Sequence, residues 1–138
     1  MQTGRLFAAL LFSFAATHAA ADATFETASA LYEAGRFQKA LQAFEEVAHA
    51  GDGDDQRTTA RFYAAQCRIQ LGDYATAGSE LERLLAELGP DDATPALLFR
   101  AGEAALLQGD AERARRRLSD FVDLHAGHAY APYAWKYL

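Results

Sequence analysis

The chain has 138 residues, 51% of them hydrophobic and 23% charged, and Lys+Arg 13 against Asp+Glu 19 leave a formal charge of −6. Such a chain is too apolar to stay disordered, and its acidic balance argues against a surface for nucleic acid or anionic lipid, which must gather cations to neutralise phosphate. The length suits one domain, and the single cysteine, Cys67, allows neither an internal disulfide nor a thiolate zinc cluster, so packing must stabilise the fold.

The first element has the form of a secretory signal. Met1–Arg5 carries a positive charge, Leu6–Ala16 is a short apolar run, and small residues at Ala19 and Ala21 precede Asp22. Cleavage is expected after Ala21. An uncleaved anchor is the competing reading, but a bilayer span needs roughly 20 apolar residues. No cysteine follows the apolar run, so the lipoprotein type of signal is excluded. The expected mature chain, 22–138, is more acidic still, because residues 1–21 remove Arg5 and no acid. A periplasmic or secreted location follows from this reading.

From residue 22 onward the sequence repeats with a period of 37. Gly35, Gly72 and Gly109 keep that spacing, as do Phe25, Phe62 and Phe99. So do Ala40, Ala77 and Ala114, then Phe44, Leu81 and Leu118, then Val47, Leu84 and Phe121, while Pro95 recurs at Pro132. A fixed period of this size marks stacked units, here about 22–54, 55–91 and 92–128. Each unit reads as helix, tight turn, helix. In the second, Phe62, Ala65 and Ile69 fall on one helical stripe; Gly72-Asp73 then supplies a left-handed stop followed by an amide acceptor. Tyr74–Leu88 continues with Ala77, Leu81, Leu84 and Leu88 on one face. Polar, turn-rich connectors at 51–55 and 89–92 separate the units. No period-two pattern occurs, so the fold class is all-α, with helices predicted at 24–34, 37–50, 55–71, 74–88, 94–108, 111–125 and 131–138.

The run Ala64–Ala77, with small residues, then Gly72, Tyr74 and Ala77, resembles the tetratricopeptide repeat, whose 34-residue unit places an aromatic two and an alanine five positions after its turn glycine. Gly35, Phe37 and Ala40 match in the first unit, whereas the third keeps Gly109 and Ala114 but has Ala111 at the aromatic position. The likeness spans about Ala23–Leu138. It implies a right-handed α-solenoid of three helix pairs, with 131–138 as a short terminal helix covering the last face. Phe121–Trp135 is further similar to repeat junctions of bacterial envelope proteins, such as the Tol–Pal coordinator and the lipoprotein subunit of the outer-membrane β-barrel assembly machine.

The resemblance also implies a binding groove lined by the first helix of each pair. Phe25, Phe62 and Phe99 border it, either as an apolar ladder for a partner segment or as core packing between units. Ser29, Gln66 and Glu103, with Glu33, Gln70 and Arg100, are expected to face it as polar selectors. The family's clamp for a free C-terminal carboxylate needs Lys, Arg and Asn there, and these are absent.

Other candidates for chemistry are each set against a plainer role. Asp123, His125 and His128 could ligate zinc, or simply end a solvated helix. Asp52–Asp55 has the look of a calcium loop, but the twelfth position, which should be a bidentate Glu, is Tyr63. Cys67 would need a base to act as a nucleophile, and its column partners, Ala30 and Ala104, mark a small packing position. Arg113, Arg115, Arg116 and Arg117 could dock an acidic partner or be a salt-laced face with Glu112 and Asp120. The expected function is a non-enzymatic adaptor for a protein or peptide partner, with no cofactor, no nucleic acid and no membrane span after cleavage. A metal-binding protein using His125 and His128, and a self-assembling structural repeat that buries its thin end by dimerising, stand as alternatives.

Overall fold

The computed structural model describes residues 24–50, 53–89 and 92–138. The signal expected at 1–21 and Asp52 of the acidic connector lie outside these residues. Seven helices follow in chain order: α1 Phe25–Glu33, α2 Phe37–Ala50, α3 Asp54–Gln70, α4 Tyr74–Leu88, α5 Pro95–Leu107, α6 Ala111–Leu124 and α7 Ala131–Lys136. The predicted bounds hold to within two residues; the largest difference is the end of α7, which stops at Lys136. Each helix packs mainly on its sequence neighbours, as in a solenoid of α1–α2, α3–α4 and α5–α6 hairpins with α7 laid on the last.

The hairpins are made by the repeated glycine. Gly35, Gly72 and Gly109 have φ of 71°, 83° and 82°, a left-handed conformation that a Cβ penalises. In all three turns the glycine N–H and the next residue's N–H donate back to the carbonyls three and five positions earlier, as with Gly72 to Ile69 at 3.1 Å and Asp73 to Arg68 at 2.9 Å. This satisfies two carbonyls that the helix end would leave unpaired. The following helices then start on side-chain caps: Asp73 accepts from the Thr76 N–H and Asp110 from the Arg113 N–H. In the first unit Arg36 stands at this place and offers no acceptor. Thr94 caps α5, with Pro95 in the first turn, where no amide donor is needed.

The repeating columns are the core. Ala40, Ala77 and Ala114 are buried, as are Phe44, Leu81 and Leu118 and then Val47, Leu84 and Phe121. Two apolar clusters result, and α3 belongs to both. Ala60, Ala64 and Cys67 join α1 and α2 in the first; Ala65 and Ile69 join α4 to α7 in the second. A helix buried on both faces needs small residues, and α3 has them. Cys67 is one, fully buried, and burial pushes its thiol up to about 11 against a weaker opposing pull from Arg68. It is an inert packing group in this environment. Arginines tie the helices outside the core: Arg61 of α3 bridges Glu80 and Glu87 of α4 at 2.6 Å each, Arg68 reaches Glu45 of α2, and Arg117 of α6 reaches Glu82 of α4 at 3.0 Å.

Two glycines inside helices mark close crossings and differ in what a methyl group would meet. At Gly102 an added Cβ would lie 2.7 Å from Leu118 Cδ2 and 2.8 Å from its Cγ, and Leu118 is locked in the core. At Gly78 it would meet mainly the amide tip of exposed Gln108, which donates to the Tyr74 carbonyl at 2.9 Å and can swing away. Gly102→Ala is therefore expected to cost about 1–3 kcal/mol through overpacking. Gly78→Ala should stay within about 1 kcal/mol of the parent, because the helix-propensity gain offsets the lost hydrogen bond. Thermal melts of both variants check this, and a Gly102→Ala protein as stable as the parent would contradict the close crossing. A second expectation concerns Cys67: at pH 8 the folded protein should react with a maleimide at least about 100-fold more slowly than the same protein in denaturant, since thiolate fraction and access both fall.

Candidate functional site

The first helices α1, α3 and α5 present the residues that the repeat pattern assigned to a groove, and the structure separates them. The three phenylalanines do not form a ladder. Phe25 is half-buried, with its ring edge-on to Phe44 at 5.5 Å and to Tyr63 at 5.7 Å. Phe62 is half-buried against the second core cluster and edge-on to Tyr63 at 5.4 Å. Phe99 is only 7% exposed and packs on Phe121 at 5.6 Å and on Tyr130 at 4.8 Å. The first and third rings thus seat on the second helix of their own unit, and core packing takes most of the column's surface.

Among the expected polar selectors, Gln70 is exposed and Ser29, Arg100 and Glu103 are half-buried. Gln66 differs from expectation. It is 7% exposed, because α3 is packed on both sides and leaves its middle little free surface. Glu33 is exposed at the end of α1.

The best-defined constellation lies where α5 meets α7. Arg100 donates to Glu103 at 2.6 Å, one turn along α5, and its guanidinium carbon sits 5.7 Å from the Phe99 ring centroid and 5.6 Å from that of Tyr130. Burial disfavours this cation, but the hydrogen bond and charge of Glu103, aided by Tyr130 and Tyr32, more than offset it, so the arginine is held charged above its ordinary value. On α1, burial raises the Tyr32 phenol, and Arg100 partly opposes the rise. Beside this pair opens a pocket of about 350 Å³ whose walls include Phe99, Glu103, Leu118, Tyr130 and Tyr133. Tyr133 is 61% exposed. The pocket can take an apolar side chain against aromatic walls, with one charged hydrogen-bonding group at its edge. It assembles no nucleophile beside a base.

Tyr130 and Tyr133, which wall this pocket, belong to no recurring column of the sequence. One period earlier stand Ala93 and Ala96, so a search for recurring columns passes over them.

The histidines have structural partners. His128 Nδ1 accepts from the Tyr130 N–H at 3.1 Å, and both His125 and His128 lie against the Phe121 ring, at 5.9 and 5.6 Å. Among the described residues no three of His, Cys, Asp or Glu gather as a ligand set. Asp54 and Asp55 stand in the first turn of α3, where its amide dipole favours acids. The arginine run is largely paired: Arg113 with Asp110 at 3.3 Å, Arg116 with Glu112 at 3.0 Å, and Arg117 with Glu82 and Asp120.

Two family models, both described as tetratricopeptide repeat, match residues 31–94 and 96–128. No curated protein matches the full sequence significantly. Among solved structures, PcrH in complex with the chaperone binding region of PopD superimposes with a TM-score of 0.67 and 21% identity, covering 81% of this chain and 83% of that one. At that identity the likeness speaks for the fold. Among the described residues no helix is long and apolar enough to cross a membrane. With matched repeats running through nearly all of the helical region, the chain belongs to the tetratricopeptide-repeat family.

Proposed function

We propose that this protein is a non-catalytic interaction module of the bacterial cell envelope, exported by its amino-terminal segment, that holds an extended segment of a partner protein in the groove of its first helices. The observation that carries the groove assignment is the Arg100–Glu103 pair held between Phe99 and Tyr130 beside a pocket of about 350 Å³. An apolar side chain entering that pocket gains affinity by burial, while the charged pair at its edge fixes register through hydrogen bonds to the partner's backbone or side chains. PcrH uses the same fold and is seen with a bound region of PopD, which supports a peptide-like occupant here. The envelope assignment rests on the signal-like start and on the likeness of Phe121–Trp135 to envelope repeat junctions. The metal-dependent alternative has less support, since His128 Nδ1 is already engaged by the chain itself.

A photo-crosslinking residue placed at Gln70 or at Tyr133 should trap the same partner in intact cells, whereas one at Gln42, exposed on second helix α2, should not. Tyr133→Ala removes a mostly exposed ring, so its melting temperature should stay close to the parent's, within about 0.5 kcal/mol of stability. Its affinity for the trapped partner should fall by roughly 2 kcal/mol, as truncation of an aromatic anchor does. Equal trapping from Gln42, or unchanged affinity after Tyr133→Ala, would move the site away from the groove.

A further inference from the structure

The outer face of α6 carries a charge order that its own helix does not favour. A helix prefers acids near its start and cations near its end. Beyond Glu112, α6 does the reverse: Arg113, Arg115, Arg116 and Arg117 fill its first half, Asp120 and Asp123 its second, and no basic residue stands in its last turn. Most of these groups have partners within the chain. Among the described residues, Arg115 and Asp123 form no ion pair, and both are exposed.

These two lie four residues on either side of Ser119. Residues spaced by four make one ridge of a helix surface, so Arg115, Ser119 and Asp123 form a row about 12 Å long with opposite charges at its ends and a small residue at its middle. Beside Asp123 a cleft of about 550 Å³ opens between α4 and α6, with Leu85 and Leu98 in its floor; at its rim Arg117 is paired with Glu82 and Asp120, which leaves Asp123 as the rim carboxylate without an ion pair among the described residues. Leu124, 52% exposed, lies at its mouth. An apolar floor beside the unpaired Asp123 carboxylate suits an arginine, whose stem covers apolar surface while its head pairs with acid.

We propose that the occupant of this face is a second copy of the chain, docked antiparallel through a two-fold axis at Ser119, so that Arg115 of each copy reaches the edge of the other's cleft and pairs with its Asp123. The self-complementary order of the ridge points to a copy rather than to an unrelated basic segment. About a two-fold axis the residue four before the centre meets the residue four after it, and every contact is made twice. The pairing also explains the unfavourable charge order, because each copy supplies the charges that the other's helix ends prefer. This surface lies on the second helices and is independent of the groove.

Sedimentation across a dilution series should show a monomer–dimer equilibrium whose dissociation constant rises severalfold or more between low and about 0.5 M salt, as expected for exposed ion pairs. Arg115→Asp and Asp123→Arg should each weaken the dimer by about tenfold, since each places like charges opposite one another twice. The double variant R115D/D123R should restore it to within a few-fold of the parent, with circular dichroism confirming the fold of all three. Ser119→Cys should form an interchain disulfide on mild oxidation, while Thr76→Cys, exposed on α4, should not. A monomer at every concentration would overturn the proposal, as would single variants without effect, a double variant as weak as the singles, or a Ser119→Cys protein that stays unlinked. Binding of a lysine-rich synthetic peptide to a strictly monomeric protein at Asp123 would replace the second copy with a basic partner.

Discussion

The architecture depends on one backbone conformation used three times. At Gly35, Gly72 and Gly109 the chain turns left-handed, and the N–H groups of the glycine and of the residue after it close onto the carbonyls of the helix just ended. A helix stopped this way turns back within two residues, so its successor lies antiparallel against it. Only because the reversal is this tight do the alanines five residues after each glycine reach the crossing, where they are buried. A side chain at the glycine would strain the turn even though the surrounding space is open, since no atom lies within 4 Å of an added Cβ. The constraint is in the backbone dihedral and not in crowding.

Close crossing then governs what each helix can offer to solvent. The middle helix α3 is packed from both sides, and its alanines and Cys67 serve two cores at once. A helix placed so has little surface left for recognition, which is why Gln66 disappears into the interior while Gln70, near the end of the helix, stays exposed. The terminal pair has more freedom. On the far side of α5 Tyr130, just before α7, covers Phe99, and there Arg100 and Glu103 keep access to a pocket.

Periodicity made the fold legible and hid part of the site. Columns that recur in every unit are those with the same structural task, so Ala77 and Leu81 could be placed in the core from their spacing alone. A binding surface has no reason to repeat, because each unit meets a different part of a ligand. Hence Tyr130 and Tyr133 have no aromatic counterparts one period earlier, at Ala93 and Ala96. The phenylalanine column was ambiguous for another reason. A ring at that position is long enough to border the groove and to reach the second helix of its pair, and only the distances to Phe44 and Phe121 show which contact prevails. Gln66 stands at a repeat position that the family resemblance assigns to the groove, but burial follows the number of neighbours a helix has, and α3 has them on both sides.

Tyr130 links stability to recognition at the end of the array. It packs on Phe99 at 4.8 Å, closing the core of the third unit, and its other contacts hold the guanidinium of Arg100 and the ring of His128. The His128 imidazole accepts from the Tyr130 N–H, which fixes the chain's entry into α7. His128 thus supports the tyrosine, while His125 packs on the Phe121 ring. By holding the last repeat's ring stack and a charged group in one cluster, the start of α7 both covers apolar surface and forms one wall of the pocket. Loosening that start would expose Phe99 and release Arg100 together, so the pocket's shape is coupled to the folding of the third repeat rather than carried on a separate loop.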